Sequence, residues 1–120
     1  MATKVTWEVT SGVLPISAGR VTYDDAHTLT AADNGKIVYM NKATAVTLTC
    51  PQNSTEDLDD GFQVTVVNLG AGQVTVAVEG TDNLRYPFSK TAKLAEQYAI
   101  AVVWKRTDGE WHIDGNLEAA

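Results

Sequence analysis

Short runs of Val and Thr that alternate with a period of two constrain this chain more than any other feature. In Phe62-Gln-Val-Thr-Val-Val-Asn68, Phe62, Val64 and Val66 share one face, with Gln63 and Thr65 on the other. Gln73-Val-Thr-Val-Ala-Val78 repeats the pattern through Val74, Val76 and Val78. Successive side chains of a strand point to opposite faces, so such a run places one apolar face against a core. Branching at Cβ stiffens these side chains and suits them to a pleated, half-buried surface.

The segments between the runs carry turn chemistry. Leu69-Gly-Ala-Gly72 separates the two runs above, and its glycines reach turn conformations at no steric cost, which predicts a hairpin. Upstream, Lys36-Ile-Val-Tyr-Met40 and Ala45-Val-Thr-Leu-Thr-Cys50 form a similar predicted pair around Asn41-Lys-Ala-Thr44. Val46, Leu48 and Cys50 share a face, and Pro51 ends the run because it has no N–H for a ladder. Gln52 to Asp60 is polar and acidic and reads as a loop with one helical turn at Thr55-Glu-Asp-Leu58. Thr30-Ala-Ala-Asp33 has capping-type spacing, but Asn34-Gly35 stops it after a single turn.

Gln97-Tyr-Ala-Ile-Ala-Val-Val-Trp-Lys105 is the longest predicted strand. Tyr98, Ile100, Val102 and Trp104 line one side, and Ala99, Ala101 and Val103 the other. Neither side is polar before Lys105, which predicts cover on both faces. Asp108-Gly109 is a strong hairpin signal, and Glu110-Trp-His-Ile-Asp114 returns with Trp111 and Ile113 inward.

Many short strands with Gly-rich turns predict an all-β, single-domain antiparallel β-sandwich or flattened barrel over residues 24–120. The predicted core comprises Val46, Leu48, Phe62, Val64, Val66, Val74, Val76, Ile100, Val102, Trp104, Trp111 and Ile113. Residues 1–23 read as an N-terminal arm, or as an edge strand plus connector. Val5-Thr-Trp-Glu-Val9 alternates like a strand, and Gly12, Pro15 and Gly19 permit redirection of the chain. Alternating apolar residues and a tryptophan are not what a solvated tail favours. Val5, Trp7, Val9, Leu14 and Ile16 are therefore the candidate binding residues, with Trp7 as an anchor.

Composition excludes several function classes. No stretch reaches the roughly 18 apolar residues of a membrane span, and the first residues lack the apolar core of a secretory signal. A net charge of −6 and a pI near 4.7 argue against a nucleic-acid partner, which selects clustered Lys and Arg. The one cysteine, Cys50, makes no internal disulfide and lies on an apolar face, as a small buried hydrophobe would. His27 and His112 sit in no recognisable catalytic spacing, and no Gly-x-Ser-x-Gly elbow is present. Two histidines and one cysteine offer no zinc pattern, and Glu56-Asp-Leu-Asp-Asp60 lacks the EF-hand arrangement. The expectation is a non-enzymatic protein without cofactor or metal.

An ordered set of segments resembles a β-module found in bacteriophage virion proteins. Leu29-Thr-Ala-Ala-Asp-Asn-Gly-Lys-Ile-Val38 resembles its opening, and Ala45-Val-Thr-Leu-Thr-Cys-Pro51 a strand ending in proline. Gly61-Phe-Gln-Val-Thr-Val-Val-Asn-Leu-Gly-Ala-Gly72, Gln97-Tyr-Ala-Ile-Ala-Val-Val-Trp104 and Glu110-Trp-His-Ile-Asp-Gly-Asn-Leu117 follow in order. Together they cover roughly residues 28–117. The resemblance implies an all-β domain, usually trimeric, of the kind used in tail fibres, head fibres and capsid decoration proteins, with no catalytic residues. The loop around Thr55–Asp60 is more acidic than that pattern. Because the module spans almost the whole sequence, the expectation is a protein without a fibre shaft. The expectation is thus a capsid decoration (cement) protein, a homotrimer on the outer surface of the major capsid protein. It would be made in the host cytoplasm and carried on the virion, with the N-terminal arm docking on the shell. The alternative is a tail-tip or fibre module that binds a host surface receptor.

Overall fold

The alternating runs become strands of two sheets in the computed structural model, which describes residues 19–120. In chain order these are β1 (Arg20–Tyr23), β2 (His27–Thr28), β3 (Ile37–Met40), β4 (Val46–Cys50), β5 (Gln63–Asn68) and β6 (Val74–Val78). They continue with β7 (Asn83–Arg85), β8 (Lys90–Leu94), β9 (Ile100–Thr107), β10 (Glu110–Gly115) and β11 (Leu117–Ala119). One sheet has the order β1-β3-β5-β9-β10-β7, the other β11-β8-β6-β4-β2. The buried side chains of both sheets meet in one core, so the chain forms the all-β sandwich that the alternation predicts.

Its sheets are mixed rather than antiparallel. β1, β3 and β5 run parallel in one sheet, and β2, β4 and β6 run parallel in the other. The pairs β3/β4 and β5/β6 are therefore not hairpins. In each pair the first strand lies in one sheet and the second in the other, so the connecting loop arches over the edge of the core. Alternation reports that a strand buries one face; it does not report which strand bonds to its edge. Three such arches stack, and β9 closes the stack by pairing antiparallel with β5.

The stacking explains the glycines between β5 and β6. The N–H of Gly70 donates to the Met40 carbonyl at 3.1 Å, and that of Gly72 to the Lys42 carbonyl at 2.9 Å. A Cβ at Gly70 would overlap the backbone of Lys42, and one at Gly72 the backbone of Thr44. Glycine is needed there because one arch loop lies directly on the next. Buried Asn68 holds the upper loop: its Nδ2 donates to the carbonyls of Gly70 and Gly72, and its Oδ1 accepts from Val74 N–H, each at 2.9 Å.

Most of the predicted core is buried, including Val46, Leu48, Phe62, Val64, Val66, Val74, Val76, Trp111 and Ile113. Phe62 meets Trp111 edge to face, with centroids 5.7 Å apart. Cys50 is buried in the same core, and burial, reinforced by the charge of Asp82, pushes its thiol far above the usual range. The hairpin between β9 and β10 forms as expected, with Gly109 at a φ of 75°.

β9 faces the opposite way from the prediction. Ile100, Val102 and Trp104 point outward, while Ala101, Val103 and Lys105 are buried. Both faces of this strand are apolar, so periodicity could not choose between them. The register does: Val64 pairs with Val103 and Val66 with Ala101, and paired residues share a face. The expected cover on both faces is also absent within the described chain, because Ile100 is 52% exposed.

Lys105 enters the core side at 1% exposure. Its ammonium donates to Asn53 Oδ1 at 2.9 Å and to the Leu58 carbonyl, and it pairs with Asp108 Oδ1 at 3.2 Å. These bonds tie the acidic loop to the hairpin. The predicted helical turn at Thr55–Leu58 is instead a turn closed by Thr55 and Glu56 N–H groups on the Gln52 carbonyl, with Leu58 buried. The single turn at Thr30 forms as a 3₁₀ turn over Ala31–Asp33.

Candidate functional site

The two outer sheet faces differ in chemistry. On the five-stranded sheet, Thr28 and Thr49 lie in one cross-strand row, and Thr47, Thr75 and Lys93 in another. That face presents hydroxyls and an ammonium to water. On the six-stranded sheet, the register aligns Tyr39, Val67 and Ile100 in one row and Ile37, Thr65 and Val102 in the next. Ile37, Ile100 and nearby Tyr98 are exposed, and Val67 is buried between its neighbours. Tyr98 sits at a φ of 69°, a left-handed conformation disfavoured for a bulky side chain. Its N–H donates to the Asn68 carbonyl at 2.7 Å, which fixes the approach of the chain into β9.

This apolar stripe adjoins the point where residues 1–18 join the domain. The carbonyl of Gly19 accepts from Ile37 N–H at 3.0 Å, and β1 is the edge strand of the same sheet. An open groove lined by Arg20, Thr22, Tyr39 and Leu69 lies at this corner. The candidate binding residues Val5, Trp7, Val9, Leu14 and Ile16 lie outside the described residues. Sequence reasoning missed the stripe itself, because it assigned Ile100 and Val102 to the core. The available signal was the two-sided apolar character of β9 beside a Gln and Thr face on β5.

A polar cluster occupies the β1–β2 corner. Asp33 is buried, accepts from the Tyr23 hydroxyl, and lies 2.8 Å from His27 Nε2 and 2.9 Å from Thr30 N–H. Burial opposes the Asp33 charge, but these hydrogen bonds hold its carboxyl below the usual carboxylate range. Burial, with the hydrogen bond and charge of Asp33, pushes the Tyr23 phenol up to about 12. The Tyr23 and His27 rings stack with centroids 3.5 Å apart. Both Asp33 oxygens are engaged, and the cluster pins the first arch to the 3₁₀ turn. Among the described residues, no group of three or more His, Cys, Asp or Glu is placed to hold a metal ion. No described helix is long and apolar enough to cross a membrane.

No protein-family model matches the chain, and no curated protein or solved structure matches it.

Proposed function

We propose that this protein is a structural component of a bacteriophage particle: a capsid decoration protein that assembles as a homotrimer and binds the outer surface of the major capsid protein. The observation that carries this reading is the apolar stripe of Ile37, Tyr39, Val67, Ile100 and Val102 beside the entry of residues 1–18. Ile37 and Ile100 are exposed on this face, whereas the strands of the other sheet expose no large apolar side chain among the described residues, and exposed apolar surface of this kind marks a protein contact. In this reading the stripe packs against a second copy of the chain. Val5, Trp7, Val9, Leu14 and Ile16 engage the capsid, and the trimer multiplies their affinity by avidity. The ordered resemblance over residues 28–117 supports the same role.

The function is mechanical. Stacked arches bonded along both sheets resist shear, and a trimer bridging neighbouring capsomers opposes rupture of the shell. The test compares the full-length protein with a deletion of residues 2–18, which spares the Gly19 bond to β3. Both should scatter light as trimers at micromolar concentration and melt at nearly the same temperature, but only the full-length protein should bind undecorated capsids. Capsid binding at full strength by the truncated protein would overturn the docking role. A monomeric mass for the full-length protein would overturn the trimer.

A further inference from the structure

The far end of the same outer face carries a second feature that the decoration role does not use. The register sets Gln63, Trp104, His112 and Arg85 in a single row across β5, β9, β10 and β7. The Trp104 and His112 rings are nearly parallel, 17° apart with centroids at 5.3 Å. His112 is fixed from its other side: its Nε2 lies 2.6 Å from Glu110 Oε2, and Arg106 grips Glu110 through two bonds of 2.7 and 3.0 Å. Beyond the row, Tyr86 and Pro87 rise from the loop after β7, and Asp114 closes the groove on β10. The groove is open and offers about 330 Å³, near the lower end of the about 300–1,000 Å³ typical of ligand sites.

The wall of this groove is unusual for a surface loop. Tyr86, which lines the groove, is 46% exposed although it is a large aromatic side chain. Pro87 beside it restricts the backbone and limits the entropy lost on contact with a ligand.

We propose that this groove is a binding site for a neutral saccharide. A pyranose has an apolar face of C–H groups and a rim of hydroxyls that both donate and accept. The Trp104–His112 pair offers aromatic surface for the first. Arg85 supplies planar donors for the second, and Asp114 supplies acceptors. The pairing of one cation with one carboxylate, in a chain of net charge −6, disfavours a phosphate-rich ligand and suits an uncharged one. An open groove, rather than an enclosed pocket, suits a sugar within a longer glycan. The site borders the stripe, since Asp114 pairs with Val102 across β9 and β10, and it adds adhesion to a particle that carries the protein in many copies, where weak single contacts are strengthened by multivalency.

The experiment uses the full-length protein on immobilised oligosaccharides ending in glucose, galactose, mannose or N-acetylhexosamine. Saturation-transfer NMR on the bound sugar gives the contacted protons. At least one of these sugars should bind, and Trp104→Ala should weaken it at least tenfold, with Asp114→Asn and Arg85→Gln each weakening it several-fold. Circular dichroism checks that each variant is folded; because Arg85 and Asp114 are exposed, their variants keep the test valid if Trp104→Ala is unstable. Lys93→Gln, on the outer face of the other sheet, should leave sugar binding unchanged. Absence of binding to the whole panel overturns the proposal. So does binding that persists in folded groove variants, or that is lost equally in Lys93→Gln.

Discussion

Lys105 shows how one side chain can be misplaced by pattern and explained by packing. In the sequence it marks the polar end of an apolar strand; in the fold it is among the most buried groups, and its charge is met by Asn53, the Leu58 carbonyl and Asp108. Substituting Lys105→Met keeps the stem but leaves the buried Leu58 carbonyl unpaired. The expected cost is about 1–3 kcal/mol, read from the urea midpoint, with earlier proteolysis in the acidic loop. A midpoint equal to that of the unmodified protein would show that the ammonium does not hold the loop. Glu110 makes a second prediction at this scale. Hydrogen bonds from Arg106 and then His112 pull its carboxyl from 4.5 to about 2. A carboxyl depressed on folding stabilises above its unfolded value and loses that contribution as pH falls through the folded one. The stability gap between the native protein and Glu110→Gln should therefore be largest above 4.5 and close as pH falls toward about 2. A gap that is constant over this window in urea titrations would contradict it.

At the scale of elements, strands were legible and, apart from the β9/β10 hairpin, their partners were not. The runs at Val46–Cys50, Gln63–Asn68 and Val74–Val78 form where alternation places them, because burying one face is a local property of the sequence. Whether two consecutive strands close a hairpin or an arch depends on contacts between loops far apart in the chain. The glycines at 70 and 72 were read as turn formers, whereas their structural task is to let one loop lie on another. The chemistry of the outer face was missed for a related reason: β9 is apolar on both sides, and only pairing with β5 decides which side faces water. The Arg85–His112 row could not be read at all, since β7 reaches β10 from a distant part of the chain. The arch account predicts that Gly72→Ala is destabilising by about 1–3 kcal/mol or more, since its Cβ meets backbone that cannot rotate away. The neighbouring exposed Ala71→Ser should change stability by less than about 0.5 kcal/mol. Equal effects of the two changes on the thermal midpoint would refute close loop stacking.

For the whole molecule, an uneven surface is the main clue. A threonine-lined face and a more apolar face lie on opposite sides of one sandwich, and Gly19 bonds the edge of the sheet that carries the apolar one. This geometry fits a subunit that meets its own copies through one sheet and leaves the other in water. The N-terminal residues singled out for docking lie outside the described residues, so their role rests on alternation and on the place where they join β1. The central claim is that the protein coats a phage head. It is tested most directly by reconstructing the purified particle and counting this chain in it. The account predicts trimeric density repeated over the outer capsid surface, with the apolar sheet faces turned toward one another. A few copies confined to the tail, or none on the particle, would contradict it.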